Sequence, residues 1–525
     1  MKKYLATTVC IFFVTILSQA QSKVFKEVND EVASQVKSIL QDDALVGYLV
    51  FTKLEKASAD SFNYKITIMD ENLNDIGKIT FKEQYLYLKA VSFNQDVLNI
   101  GYLKIAKKVK SGGNNKKSDG KFDFIVFNQF VSLEGKILKT HEAKVAIKER
   151  SLTFIDTKYA ENNEMASDGL KHNIQIKSIP QKGFSMFYGD DKSNTITVFS
   201  AKGEQVWKKN NIKDADGGFI LNTSKDYVYL LSKNYLVNTP EGGYEIQTFG
   251  IADSSSLDKI ELKDMKGNYL KILSFQNDPI TGNPYIAGNI INLKFSDRFS
   301  KSRYIAKGCY SGVFTINCNG PKKKDFKETY TYWNDGSLKP GISETGKLVD
   351  QELFVKYLEA IKDFNGNTYF IGSSFVRKTK YGALASCILL SPIILPSIYI
   401  AGFGFIKVRT QDVIVLKQDN SGKVSVDNTL KCNYSKYVPS SMSFNFDATR
   451  KFYEAKNSEA KSNYIIIDDQ KDIFIYNINN KKVVRTISHK DGNSTTNIYP
   501  AKDGYIMVAE YNRKEKYSRF SIEAL

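Results

Sequence analysis

Histidine is the scarcest chemistry-bearing residue in this chain: His141, His172 and His489 are the full set. They lie far apart, and none shares the spacing of a metal-ligand pair or stands near a nucleophile motif. That argues against a zinc centre and against a histidine-based triad. His172 and His489 neighbour lysines, as solvated surface histidines do. No G-x-S-x-G and no H-E-x-x-H occurs. Gly341-Ile-Ser-Glu-Thr-Gly-Lys347-Leu348 mimics a phosphate loop, but Leu348 stands where a magnesium-holding Ser or Thr is needed. Asp70-Glu-Asn72-Leu-Asn74-Asp75 begins like a calcium loop, then lacks both the glycine at the sixth position and the closing glutamate. It reads as a hairpin turn. The 57 acidic residues single out no carboxylate pair for glycoside cleavage. No cofactor is expected and no catalytic residue stands out.

The cysteines give no redox or metal motif either. Cys309, Cys318, Cys387 and Cys432 remain once Cys10 is set aside in the leader, and no C-x-x-C is present. Cys309 and Cys318 share one strand-like run, where nine residues span about 30 Å, too far for a bond. These cysteines read as small buried apolar residues.

Two stretches carry binding chemistry instead. The chain of 525 residues has 74 Lys and Arg against 57 Asp and Glu, a net charge of +17. One concentrated share is Lys107, Lys108, Lys110, Lys116, Lys117 and Lys121, in a Gly- and Asn-rich segment that reads as an anion-attracting arm or a solvated loop. A second basic run is Lys322-Lys323-Lys324. The opposite extreme is Tyr381 to Ile406, 26 residues without a charge. Its apolar side chains include Leu389, Leu390, Ile393, Ile394, Leu395, Ile398, Tyr399, Phe403 and Phe405. The length suits a bilayer span, but Pro392 and Pro396 interrupt it. The readings are a plug folded onto the protein or an exposed loop touching a membrane or partner.

The elements that position these segments are repeats. An apolar strand closing on glycine recurs: Ala44-Leu-Val-Gly47, Leu98-Asn-Ile-Gly101, Met186-Phe-Tyr-Gly189, Tyr285-Ile-Ala-Gly288 and Tyr369-Phe-Ile-Gly372. The glycine implies a bulge or a close backbone approach. A strand–turn–strand hairpin follows each time, as in Ile196-Thr-Val-Phe-Ser-Ala-Lys-Gly203-Glu-Gln-Val-Trp207. With one more strand in front, the unit has four strands, A to D. About eight units start near residues 44, 85, 180, 219, 270, 354, 440 and 495. No unit buries both its faces alone, so they must stack. The chain is therefore expected to be all-β, a β-propeller of seven or eight four-stranded blades with inserted B–C loops. A tandem sandwich is the alternative. From the B glycine to the C–D glycine the spacing is 30, 34, 14, 32 and 50 residues, which places insertions at one topological point and so on one face. Tyr357 to Asp363 is read as a strand A although its apolar period also suits a helix.

The ends follow. Lys2 and Lys3, an apolar Leu5 to Leu17 and Ser18-Gln19-Ala20 read as a signal peptide over 1–20 with cleavage before Gln21. Residues 21–43 are a short helix, on the i+4 spacing of Val28, Val32, Val36 and Leu40, or a strand closing the last unit. Residues 44–525 form a single propeller with insertions at 105–121 and 378–409.

The run Leu45-Val-Gly-Tyr48-Leu-Val-Phe51, with Tyr64-Lys-Ile-Thr-Ile-Met-Asp70 and Val413-Ile-Val-Leu-Lys-Gln-Asp-Asn-Ser-Gly422, resembles an uncharacterised family of secreted proteins from Bacteroidota. The resemblance implies export and a propeller-like repeat, and supplies no functional residues. The expectation is a secreted, periplasmic or outer-membrane-associated binding or scaffold protein with a basic surface for anionic glycan, a lipid surface or an envelope protein. Export without a recognition motif argues against nucleic acid. The alternative is a propeller hydrolase or lyase acting on glycans.

Overall fold

In the computed structural model the described residues are 21–26, 34–42, 44–107, 122–146, 174–190, 193–210, 219–233, 243–291, 310–334, 341–343, 346–348, 353–379, 406–432, 438–439, 450–469 and 471–525. Among them the strands form eight antiparallel sheets, and these are the blades of a propeller.

Strand β1 (Gln21–Lys26) pairs far from its neighbours in sequence, as described below. Blade 1 is β2 (Ser34–Gln41), β3 (Ala44–Ser58), β4 (Ser61–Asp70) and β5 (Asp75–Glu83). Blade 2 is β6 (Tyr85–Asn94), β7 (Val97–Lys107), β8 (Phe122–Ser132) and β9 (Ile137–Val145). Blade 3 is β10 (Ile174–Ile179), β11 (Gly183–Gly189), β12 (Asn194–Ser200) and β13 (Gln205–Asn210). Blade 4 is β14 (Phe219–Thr223), β15 (Tyr227–Lys233), β16 (Tyr244–Gly250) and β17 (Ser256–Leu262). Blade 5 is β18 (Leu270–Asn277), β19 (Pro284–Ile291), β20 (Tyr310–Cys318) and β21 (Phe326–Tyr332). In blade 6 a short β22 (Lys347–Leu348) precedes β23 (Leu353–Lys362), β24 (Thr368–Thr379), β25 (Ile406–Gln418) and β26 (Val424–Leu430), and β27 (Val438–Pro439) adds to β25. Blade 7 is β28 (Arg450–Asn457), β29 (Ser462–Asp469), β30 (Asp472–Asn477) and β31 (Lys482–Ser488). Blade 8 is β33 (Ser494–Pro500), β34 (Tyr505–Asn512) and β35 (Tyr517–Ala524), flanked by β32 (Lys490–Asp491).

Burial explains the sequence pattern. Each inner blade packs a neighbour on both faces, so its middle strands are apolar throughout rather than alternating. Strands β11 and β19 are buried at every position. The outermost strands alternate instead, and β5 and β31 expose much of one face. A separate apolar layer fills each seam. Leu49, Ile66 and Phe51 of blade 1 meet Leu98, Ile100 and Tyr102 of blade 2, and comparable layers join every following pair. Leu45, Tyr48 and Met69 of blade 1 meet Met507 and Ile522 of blade 8. The ring is closed, and the aromatic residues are its blade packing.

Closure uses the start of the chain. Strand β1 runs antiparallel to β35, from Gln21 beside Ile522 to Lys26 beside Tyr517, and supplies the fourth strand that blade 8 lacks. Lys23 then reaches blade 1, where its Nζ donates to the Leu73 carbonyl and pairs with Asp75. The helix read from the i+4 spacing is a correction: Ser34–Gln41 is the first strand of blade 1. Four is an even spacing, so it keeps Val36 and Leu40 on one strand face as well as one helix face. Both pack towards blade 8, while Ile39 packs towards blade 2.

The recurring strand-B glycine has the expected cause. Opposite Gly288 and Gly372 the A strands β18 and β23 each carry one extra residue. A Cβ on Gly288 would meet the Lys271 carbonyl oxygen at 2.0 Å, and one on Gly372 the Lys356 oxygen at 2.3 Å. Tyr357 lies in β23, a strand as the repeat implied. The 30-residue spacing in the first unit is not an insertion: β3 has 15 residues and β4 has 10, joined by the Ala59–Asp60 turn.

Candidate functional site

In a four-stranded meander the A–B and C–D turns lie at one end and the B–C and D–A connections at the other. The ends of β7 and β8, and of β24 and β25, open on the B–C face. Both insertions leave from closed hairpin stems. Lys107 pairs Phe122 in blade 2, and Thr379 pairs Ile406 in blade 6. A single bilayer crossing would part the two sides of the uncharged segment by about 30 Å; instead Thr379, just before it, and Ile406, its last residue, are paired neighbours. Blades 2 and 6 are four steps apart in a ring of eight, so the two stems stand on opposite sides of one face.

From blade 1 to blade 7 the first strands of successive blades contact one another and so form the inner wall of the ring. Their charges have one dominant sign. The inner strands β2, β6, β10, β14, β18, β23, β28 and β33 together hold nine Lys or Arg and two Glu. Lys37, Lys89, Lys177, Lys271, Lys356 and Lys451 put a lysine on six of the eight. Lys356 is buried and the other five are half-buried. Lys271 donates to the Tyr310 hydroxyl at 3.2 Å, and Lys89 lies 5.7 Å from the Tyr87 ring centre. Lys271, Lys356 and Lys451 occupy one register position, opposite Asn289, Ser373 and Asp468 on the B strand.

Most other buried charges are spoken for within the fold. Lys362 pairs with Asp278 and donates to Asn317 across the seam of blades 5 and 6. Arg450 donates to Ser373 Oγ at 3.0 Å and the Gln411 carbonyl at 2.9 Å, and pairs with Asp469. His489 is half-buried, not solvated as its lysine neighbour suggested: its Nε2 meets Asp468 at 2.7 Å and its Nδ1 the Thr496 carbonyl at 2.9 Å, tying blade 7 to blade 8. His141 ties Gly203 of the next blade at 2.8 Å. His172 lies outside the described residues. Burial pushes the Cys432 thiol up to about 11 and the Cys318 thiol higher still, so both are inert apolar fillers. Cys309 and Cys387 lie outside the described residues.

Of the residues singled out from sequence, Lys107 ends β7. Lys108, Lys110, Lys116, Lys117 and Lys121 lie outside the described residues, as do Leu389, Leu390, Ile393, Ile394, Leu395, Ile398, Tyr399, Phe403 and Phe405. Lys323 and Lys324 lie in a 3₁₀ turn between β20 and β21, on the opposite face, with Lys323 paired to Glu328. The calcium-loop mimic is the β4–β5 turn, where Asp70 accepts from the backbone of Asn72 and Asn74, each at 2.8 Å. The phosphate-loop mimic turns at Ser343–Gly346 into β22. Among the described residues, no three His, Cys, Asp or Glu converge as metal ligands. Sequence reasoning missed the inner-strand lysines. Their signal was one lysine set in an apolar A strand, as in Ile176-Lys177-Ser178, Leu270-Lys271-Ile272 and Val355-Lys356-Tyr357.

A family model described as a family of unknown function, DUF6770, matches residues 1–525. No curated protein matches the sequence. Similar solved structures include the Dos1 propeller, at 9% identity and TM-score 0.42, covering 96% of this chain and 94% of that one. The propeller domain of the Trilobed protease from Pyrococcus furiosus has 8% identity and TM-score 0.35, covering 83% and 93%. A protein of unknown function from Bacteroides caccae has 11% identity and TM-score 0.24, covering 74% and 94%.

Proposed function

The chain belongs to the DUF6770 family, and from that premise we propose that it is an exported propeller that binds or scaffolds anionic components of the cell envelope. The observation that carries this reading is the row of inner-strand lysines, Lys37, Lys89, Lys177, Lys271, Lys356 and Lys451; the other three bases of these strands, Lys362, Arg450 and Lys456, are paired with acids. Walls of low dielectric focus such a field and raise the local concentration of anions. The stem of the Lys-rich insertion, Lys107 paired with Phe122, opens on the B–C face. Export rests on the leader at 1–20, whose cleavage point precedes the first residue of β1. A glycan hydrolase or lyase needs converging carboxylates. The inner strands offer Glu359 and Glu454, and Glu454 is 3.4 Å from Lys456 in an ion pair.

The test uses the chain without residues 1–20 and a sulfated polysaccharide as probe. Binding should be tight at low salt and fall steeply between 50 and 300 mM, roughly as the Debye length shrinks. Replacing Lys37, Lys89 and Lys177 by Gln should lower the affinity and flatten the salt dependence, and neutralising Lys107 to Lys121 should do so further. An unchanged affinity and salt slope in both variants would sink the reading.

A further inference from the structure

The seam between blades 1 and 2 carries aromatic rings to its B–C end. Deep in it, Phe51 stacks on Tyr64 at 5.2 Å between centres, and Tyr102 stacks on Phe127 at 5.7 Å; Tyr64 and Tyr102 are fully buried. At the end the rings continue but emerge half-buried. Phe62 meets Tyr85 edge-on at 5.6 Å, and Tyr85 lies 4.8 Å from Tyr87, which packs towards blade 3. The Lys53 ammonium sits over both Phe62 and Tyr85, at 4.2 and 4.3 Å from their centres, and Lys89 lies beside Tyr87. The place follows from register. Lys53 pairs Tyr64 and Lys56 pairs Phe62 in the long β3–β4 hairpin. Tyr85 pairs Ile105, two residues before the stem at Lys107 where the Lys-rich insertion begins.

We propose that this cluster is a binding site for an acidic oligosaccharide, one carrying uronate or sulfate groups. The inference rests on the anion-binding reading and names its ligand class. A pyranose ring has an apolar C–H face and a polar rim. The half-buried Tyr85 ring, with Lys53 over it, matches the first, and the lysines match the second. Lys53 and Lys89 supply positive charge against the rings. Glu83 is paired with Lys104 at 3.0 Å, while Glu55 keeps its charge and accepts from the Asn63 amide at 2.7 Å. The buried rings beneath hold the exposed ones in place, so little ordering is left for the ligand to cost. A lipid headgroup would use the charge and leave the aromatic faces unmatched, so it is the weaker fit.

Calorimetry on the chain without residues 1–20 tests this with three probes: a galacturonate tetramer, neutral maltotetraose and phosphatidylglycerol vesicles. The galacturonate tetramer should bind at least about tenfold more tightly than maltotetraose. Tyr85→Ala should weaken it about tenfold, while Tyr85→Phe, which keeps the ring, stays within about twofold. Lys53→Gln should weaken it and reduce its salt dependence. A thermal melt checks folding, and Tyr85→Leu replaces the alanine variant if that unfolds. Equal binding by Tyr85→Leu and wild type overturns the site, as does binding to vesicles alone. If the sulfated polysaccharide still binds while galacturonate does not, this inference fails and the broader anion reading survives. If neither binds, both fail.

Discussion

Two glycines in strand B are there for different reasons from the glycines in the turns, and stability separates them. Gly372 faces a bulged A strand whose carbonyl would lie 2.3 Å from a new Cβ, and backbone cannot step aside cheaply. Gly372→Ala should therefore cost about 2–3 kcal/mol in urea unfolding. Gly282 has a φ of +70° and nothing within 4 Å of a built Cβ. Gly282→Ala should cost only about 1 kcal/mol, the penalty of the left-handed conformation alone. Equal losses would remove the case for a close approach. The strand-B glycine was legible because it recurs inside an apolar frame, and its bulge was inferable. The inner-strand lysines recur as well, but each is a single residue within a much longer unit. A dense run such as Lys107 to Lys121 draws the eye, whereas one lysine in an apolar strand reads as a lapse in the pattern.

At the scale of elements, closure depends on a short strand held from two sides. Strand β1 pairs β35 of blade 8, and its Lys23 pairs Asp75 of blade 1. Hydrogen bonding from Lys23 holds the Asp75 carboxyl below the usual aspartate range, with Lys78 adding to the effect. A lowered folded value stabilises the ring above the ordinary aspartate pKa of about 3.9 and stops doing so as pH falls through the folded value. Asp75→Asn should thus melt lower than wild type at pH 7, by up to about 1 kcal/mol of stability, with the gap closing towards pH 3. A gap independent of pH would mean that Lys23 and Asp75 do not hold the strand through charge. Four strands per unit and a missing last strand were readable from the repeat. The two strands before Ala44 were harder to read. They are short, and an apolar spacing of four fits helix and strand alike, so the pairing decides: β2 with its neighbour β3, and β1 with β35 at the far end of the sequence. Tyr48 of β3 donating to the Pro500 carbonyl at 3.2 Å closes the same seam, between residues whose pairing no local pattern encodes.

For the whole molecule the ring sets how far each insertion can matter to the fold. Strands β24 and β25 remain paired to Thr379 and Ile406, so blade 6 and its seams are complete below the uncharged segment. The residues flanking it are basic: Arg377, Lys378 and Lys380 on one side, Lys407 and Arg409 on the other. Among the described residues no helix is long and apolar enough to cross a membrane, and the paired stem returns the chain to the face it left. An uncharged loop between basic flanks suits the surface of an anionic bilayer, where acyl contact and headgroup attraction add. Deleting Ala383 to Phe405 and joining the ends with a short Gly-Ser turn should leave the melting temperature within a few degrees of wild type, about the shift expected of a surface loop. We propose that the loop touches such a surface, so the same deletion should lower binding to phosphatidylglycerol vesicles and reduce the share of the protein that sediments with membranes. The Lys-rich stem stands across the ring on blade 2, so binding of the galacturonate tetramer should be untouched by this deletion. A deletion variant that fractionates as wild type does would end the membrane-contact role, while one that fails to fold would assign the segment to the core of the ring.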